Sequence, residues 1–222
     1  HVRVGCWNVR TMFSTGKTAQ VAKEAKRYNI RILGISECRW NGFGRLRTSE
    51  GDTIIYSGRE EEEAHSSGVA MLIRKKEAAA LESWTPVSHR IIKARFFSRF
   101  IKTTVIQIYA PTNDASEEAK DDFYEQLQAS IEETPSHDML ILQWDFNAKV
   151  GRPVSGEEGV VGKFGLHNER TDNGDCLVAL CMAHNLSIMT TAFKHKEIHK
   201  HTWTSPDGNY HNQIDHIAVS RR

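Results

Sequence analysis

The sequence predicts an α/β fold in which two β-sheets face each other and helices cover their outer faces. Three observations carry that prediction. Short apolar runs of β type alternate with a few helical stretches, and the strands outnumber the helices. Some of these runs are apolar at consecutive positions, as in strands buried on both faces. No repeat, low-complexity segment or Pro/Gly/Ser linker divides the 222 residues, so they read as one large domain.

Val2–Trp7 is the first predicted strand. Thr18–Asn29 follows as a helix, because Val21, Ala22, Ala25 and Tyr28 recur at helical spacing, with Thr18 as its candidate cap. Ile30–Ser36 is an apolar run that ends at Glu37. Thr53–Ser57, Val69–Ile73, Arg90–Phe97 and Thr103–Tyr109 read as strands. In the last, Val105, Ile106 and Ile108 imply burial on both faces. Ser116–Glu133 is the longest helix signal: Phe123, Leu127 and Ile131 recur four apart, Glu117 and Glu118 fill the first turn, and Pro135 follows the end. Met139–Leu142 is a buried strand. Asn173–His184 is a helix with Leu177, Leu180, Cys181 and His184 on one stripe, and Leu186–Thr190 is a strand. Thr202–Ser205 and Gln213–Ser220 flank Pro206-Asp207-Gly208-Asn209, the signature of a hairpin turn.

Composition narrows the function. Lys and Arg total 29 against 28 Asp and Glu, a formal charge of +1, which excludes a supercharged basic arm. A surface for phosphates must then come from segregated charge. No apolar run approaches the roughly 18 residues that span a bilayer. No charged-then-apolar leader precedes His1, so an intracellular location, nuclear or cytoplasmic, is expected, without membrane contact. The four cysteines form no C-x-x-C pair and read as free thiols. His195, His199 and His201 alternate with Lys194, Lys196 and Lys200, which favours a solvated basic loop over a zinc nest.

The predicted strands deliver polar residues at or just past their carboxyl ends: Asn8, Glu37, Tyr109, and Asp145 with Asn147. Ligand sites of α/β folds commonly gather there. Asp215 differs, since it reads as lying inside an apolar strand, where a carboxylate is costly unless paired or facing a site. Carboxylates and amides supply oxygen ligands that suit Mg²⁺ or Mn²⁺ rather than zinc. Amides and a phenol donate hydrogen bonds to a phosphate without repelling it. The set points to metal-assisted hydrolysis of a phosphate ester. The competing reading makes Asn8 and Asn147 turn residues and Glu37 a surface charge.

Local context adds a resemblance. Cys6-Trp7-Asn8-Val9-Arg10, Ile35-Ser36-Glu37, Ile108-Tyr109-Ala110-Pro111-Thr112, Asp145-Phe146-Asn147-Ala148 and Asn212-Gln213-Ile214-Asp215-His216 occur in that order. Together they resemble the endonuclease/exonuclease/phosphatase superfamily, across essentially the whole chain. The runs Tyr109-Ala110-Pro111-Thr112-Asn113-Asp114 and Thr202-Trp203-Thr204-Ser205-Pro206-Asp207-Gly208 are similar to the endonuclease domain of RTE-type (BovB-like) non-LTR retrotransposons. The resemblance implies a four-layer α/β sandwich and apurinic-endonuclease-like, Mg²⁺-dependent nicking of DNA. It implies Glu37 as principal metal ligand, with Asn8 beside metal and phosphate. Tyr109 would bond the scissile phosphate, Asp145 would orient or deprotonate water, and Asn147 would hold the phosphate. Asp215 matches the carboxylate that orients a catalytic histidine.

The chain also departs from that pattern. The Ser-Asp-His that supplies the histidine is absent before Arg222. The expectation is a C-terminally incomplete domain with impaired turnover, drawn from a larger parent chain with its own protein partners. The alternative is an inactive nuclease fold kept as a protein or DNA interaction module. His216 is a poor substitute, because neighbouring strand side chains point to opposite faces. Trp144 stands where a glycine is usual before Asp145, and it either crowds the phosphate or packs outward. A loop carrying Arg39, Arg45 and Arg47 is the expected contact to DNA backbone phosphates. Arg90–Lys102 and Lys194–Lys200 are lesser candidates, and Trp203 is expected in the core.

Overall fold

A computed structural model describes residues 2–14 and 16–221, the side chain of Trp144 excepted, so the expectation placed on that indole lies outside the described residues. In chain order, β1 (Val4–Asn8), α1 (Lys17–Arg27), β2 (Ile32–Ser36), β3 (Phe43–Arg47), β4 (Thr53–Ser57) and β5 (Val69–Ile73) build a five-stranded sheet ordered β1-β2-β5-β4-β3 with one helix. The one-turn α2 (Lys75–Ala78) leads to β6 (Leu81–Ser88), β7 (Ile91–Phe96), β8 (Thr103–Tyr109), α3 (Glu117–Glu132), β9 (Met139–Asp145), α4 (Asp172–Ala183) and β10 (Leu186–Ile188). A ribbon of β11 (Trp203–Thr204) and β12 (His211–Asn212) precedes β13 (Asp215–Ser220). The second sheet is ordered β10-β13-β9-β8-β7-β6.

Period-two alternation sorts the apolar residues into layers. Between the sheets, Ile55, Met71 and Ile73 meet Ile92, Ala94, Val105 and Ile141. Outside the first sheet, Leu33, Ile35 and Leu72 bury Val21, Ala22 and Ala25 of α1. Outside the second, Ile106, Ile108 and Leu142 bury Phe123, Leu127 and Ile131 of α3 and Leu177 and Cys181 of α4. Strand β8 thus serves two cores, Val105 inward and Ile106 and Ile108 outward, as its continuous apolar run requires. The result is the helix-covered double sheet that the sequence predicts.

A buried polar tie joins the sheets between these layers. Gln107 Nε2 donates to Ser36 Oγ (3.1 Å) and to the Ile108 carbonyl (3.0 Å). Gly34 gives the amide its space: a β-carbon there would sit 1.7 Å from Gln107 Oε1. Ser36 directly precedes Glu37, so the tie lies at the base of the site.

Several boundaries differ from the sequence reading. Helix α1 starts at Lys17 behind Gly16 at φ 83°, with no side-chain cap, so Thr18 lies inside the first turn. Strands β3 and β6 carry little apolar signal, because both are half-exposed edge strands built from Gly-Arg-Leu-Arg and Glu-Ser-Trp-Thr-Pro segments. The hairpin partner is β12, not β13. Gln213 breaks the strand between them: its Oε1 accepts the Leu166 N–H (2.9 Å) and its own N–H donates to His167 Nε2 (3.1 Å). Strand β13 is thereby free to join β9 and β10. No disulfide joins the four cysteines; burial pushes the Cys38 thiol up to about 11 and that of Cys181 up to about 12.

Just before β9, Asp138 pins β7 and β8 to the start of that strand. It accepts Arg95 Nε (2.7 Å) and Nη2 (2.9 Å) and the Thr104 hydroxyl (2.8 Å). The Arg95 bonds hold its carboxyl below the ordinary range. Asp138→Ala loses all three bonds and leaves the part-exposed Arg95 without this partner, so a lower urea midpoint is expected at neutral pH. The advantage of the wild-type carboxyl is complete above the unfolded value of roughly 3.9 and is lost as pH falls through the lower folded one. Equal unfolding midpoints for the two proteins at pH 7 would contradict this role.

Candidate active site

The site grows from strand direction. Parallel β1 and β2 set Asn8 opposite Ser36, and parallel β8 and β9 set Tyr109 opposite Asp145. Antiparallel β13 begins with Asp215, opposite Asp145. Asp215 is therefore not inside a strand, as its apolar neighbours suggested; it is the first residue of one that runs the other way. That reversal brings it to the same end of the sandwich.

One amide joins the two sheets there. Asn8 Nδ2 donates to Glu37 Oε1 (2.7 Å) and to Asp145 Oδ2 (3.0 Å). The Tyr109 hydroxyl donates to Glu37 Oε1 (3.2 Å), and Arg39 Nη2 pairs with Glu37 Oε2 (3.3 Å). Asn8, Arg10, Glu37, Asp145, Thr202 and Asp215 share a cleft of about 640 Å³. The Asn8 oxygen accepts the Arg10 N–H (3.0 Å), so the amide turns its nitrogen to the carboxylates and its oxygen away. Asn147 is bound nearby, its N–H on Asp145 Oδ1 (3.3 Å) and its Nδ2 on the Ala110 carbonyl (3.2 Å).

Backbone strain gathers at the same place. Arg10, Glu37, Arg39 and Asn147 have φ of 51–58°, in the left-handed region that costs non-glycine residues on the order of 1 kcal/mol each. The other positive-φ residues that are not glycine, Asn29 and Asn185, follow the C-caps of α1 and α4, where asparagine ends helices in this conformation. The four at the site have no such duty.

Three supporting residues escape a sequence reading. Asn173, 1% exposed, donates to the carbonyls of Pro111 (3.0 Å), Phe146 (3.4 Å) and Asn147 (3.4 Å) and so clamps both loops of the second sheet. Its only mark in the sequence is its place at a helix start. Arg90 donates to the Tyr109 carbonyl (3.0 Å) and lies 5.1 Å over its ring. Thr202 Oγ1 accepts the N–H groups of Ile214 (3.0 Å) and Asp215 (3.2 Å).

Burial works against the charged carboxylates. It pushes Asp215 up to about 7, helped by the charge of Asp145 and opposed by the Thr202 hydroxyl. Asp145 is raised by burial too, against the bonds from Asn8 and Asn147. Tyr109 is pushed up to about 12 by burial and then by Glu37 and Asp145, so its hydroxyl keeps its proton. Arg39 Nε is buried without a partner, a free donor beside the carboxylates. No group of three His, Cys, Asp or Glu with metal-holding geometry exists among the described residues. The donor set still fits Mg²⁺ or Mn²⁺, because Mg²⁺ is commonly held through one or two carboxylates and keeps its waters.

Other expected residues stand elsewhere. His216 contributes to the cleft wall, but it follows Asp215 in β13 and its ring is fully buried. Its Nε2 donates to the Ala148 carbonyl (2.9 Å) and its Nδ1 accepts the Thr190 hydroxyl (2.8 Å), while burial holds it down at about 4. Arg39 reaches Glu37, but Arg45 and Arg47 lie along β3, whose register leads away from the site. Lys93, Arg95 and Lys102 are each paired at 2.7 Å, with Glu133, Asp138 and Glu82. Trp203 is 38% exposed at the cleft rim and not in the core, because the ribbon that carries it joins neither main sheet.

No protein-family model matches the chain. It is 40% identical over 219 residues to craniofacial development protein 2 of Bos taurus and 39% identical to that of Tragulus javanicus. The match covers 99% of this chain but 36% and 37% of those relatives, so the chain spans about a third of their length. Among solved structures, the endonuclease domain of TRAS1, a telomere-specific non-LTR retrotransposon, superposes with a TM-score of 0.64 at 19% identity, over 99% of this chain and 85% of that one. The 3′ phosphatase NExo from Neisseria, bound to product DNA hairpin, gives 0.67 at 17% identity, over 99% and 87%. An AP endonuclease from Leishmania major gives 0.64 at 11% identity, over 97% and 78%. No helix among the described residues is long and apolar enough to cross a membrane.

A carboxyl raised by folding contributes stability that is whole below its unfolded value and is lost as pH rises through its folded one. In melting series from pH 5 to 8.5 with chelator present, wild type should lose stability as pH rises toward about 7 and level off above it, once folded Asp215 is ionised too. Asp215→Asn should flatten that decline. Parallel curves for the two proteins would show that Asp215 carries no such burden.

Proposed function

The chain is homologous over its length to part of craniofacial development protein 2 and has the endonuclease/exonuclease/phosphatase fold, and from that premise we propose that it is a divalent-metal-dependent phosphodiesterase that nicks DNA. The observation that carries this reading is the Asn8 amide bridging Glu37 and Asp145 across two sheets. A neutral donor holding two carboxylates together leaves a cleft rich in negative charge, which suits a cation. Mg²⁺ or Mn²⁺ would be held by Glu37, and it would supply charge neutralisation and polarisation of the phosphate.

The chain's own residues divide the remaining work. Tyr109, neutral at any ordinary pH, donates to a non-bridging phosphate oxygen. Arg39 offers its unpartnered Nε to the same anion. Asp145 orients the attacking water and accepts its proton. Asn147 steadies the phosphate from the opposite loop. Asn8 acts as the spacer that sets the gap between Glu37 and Asp145 rather than as a metal ligand, since its oxygen is engaged by Arg10. Asp215 lacks a free histidine partner, because both ring nitrogens of His216 are engaged by Ala148 and Thr190, and loss of such an acid–base partner commonly lowers rates by roughly 10²–10⁴. Turnover by residues 1–222 is accordingly slow.

The same missing partner favours one second reading, a nuclease fold that binds DNA without cutting it. Relaxation of supercoiled plasmid separates the two. We expect slow, Mg²⁺-dependent nicking that EDTA stops and that Glu37→Gln lowers by on the order of 10²-fold. Wild-type nicking by Glu37→Gln would overturn the assignment. Plasmid binding without nicking would support the second reading.

A further inference from the structure

Strand β3 is an edge strand of the first sheet. Leu46 packs into the α1 core, so alternation puts Arg45 and Arg47 together on the other face, and both are exposed. Between β3 and α2 is a cavity of about 290 Å³, lined by Arg45, Arg47 and Lys75 with Gly51, Ala78 and Ala79. The lining holds three cations and no carboxylate. Among the described residues none of the three forms an ion pair.

The acids of the adjoining turn are already engaged. Glu50 pairs with Lys26 (3.1 Å). Asp52 is buried, accepting Arg74 Nη1 (2.6 Å) on one oxygen and the Lys75 N–H (2.9 Å) on the other. Glu77 of α2 lines a different, apolar cavity beside Phe96 and Phe97. Gly51, at φ 86°, makes room for the Lys75 stem: a β-carbon there would meet Lys75 Cδ at 3.2 Å. Strand β3 with the turn after it and helix α2, separated in sequence by β4 and β5, thus converge on one cationic hollow.

Its position sets it apart from the cleft. The pairing Phe43–Ser57–Val69–Ser36 puts the start of β3 level with the site, and Arg47–Thr53–Ile73–Ile32 puts its end at the far side. Four residues along and three strands across amount to roughly 20 Å from Glu37. That distance is too long for a contact to the phosphate being cut.

We infer that this hollow is a second anion site, which takes backbone phosphates of a nucleic-acid strand away from the point of cleavage. Guanidinium groups grip phosphate bidentately. Arg45 and Arg47, two residues apart on one strand face, stand roughly 7 Å apart, close to the separation of successive phosphates. Protection of a sheet edge accounts for arginines on β3. It does not account for Lys75 meeting them from another element. The site stands whether or not the catalytic cleft turns over.

The test is fluorescence anisotropy with a short labelled oligothymidylate in EDTA, over a salt series. The triple variant Arg45→Ser/Arg47→Ser/Lys75→Ser should bind about 10-fold more weakly at low salt, and its plot of log affinity against log salt should flatten by about 0.7 per lost contact. Arg45→Lys/Arg47→Lys should keep most of the slope. Wild-type affinity and slope in the triple variant would overturn the inference. So would calorimetric binding of pyrophosphate to this hollow together with unaltered oligonucleotide binding in the triple variant, since the anion would then be a free phosphate compound and not a strand.

Discussion

Everything at the candidate site depends on holding Glu37 and Asp145, from different sheets, close together without letting their charges drive them apart. Two like charges about 4 Å apart repel by about 4 kcal/mol at the effective dielectric of a protein surface. Asn8 meets that constraint as a neutral side chain with two N–H donors, one for each carboxylate. Its own rotation is fixed by Arg10, which takes the oxygen. A lysine would neutralise the pair and remove the demand for a cation; an aspartate would add a third charge. The amide is the side chain that holds the spacing and leaves the cleft negative.

The scaffold makes that placement possible from below and from the sides. Gln107 ties Ser36 to β8, one residue short of Glu37 and two short of Tyr109. Asn173 binds the loops after β8 and β9 to each other. Thr202 fixes the backbone that presents Asp215. Against this stiff frame the left-handed conformations of Arg10, Glu37, Arg39 and Asn147 can persist. Strained loops on a rigid sandwich are suited to keep polar groups aimed at a shared point, with little reorganisation when a ligand arrives.

What the sequence reveals follows from what periodicity measures. Core strands such as Val69–Ile73 and Thr103–Tyr109 are legible because both their faces are apolar. Edge strands β3 and β6 are not, because an edge buries half as much and carries charge in compensation. Glu37, Tyr109 and Asp145 are legible because each follows an apolar run, and parallel strands bring such tips to one end. Asp215 needed the opposite rule, since β13 is antiparallel and its tip is its beginning. Arg39 and Arg47 sit on one short segment, yet the turn into β3 sends the second to the far end of the sheet. Asn173 has no signal of its own, because its role exists only once two loops lie within reach of its amide.

The most direct test of the central arrangement is anomalous diffraction from crystals of this chain soaked in Mn²⁺. One strong peak is expected in the cleft, within roughly 2.1 Å of a Glu37 carboxylate oxygen, with Asn8 still bridging toward Asp145. A Mn²⁺ peak bound elsewhere, with Glu37 still held by Asn8 and Arg39, would contradict it.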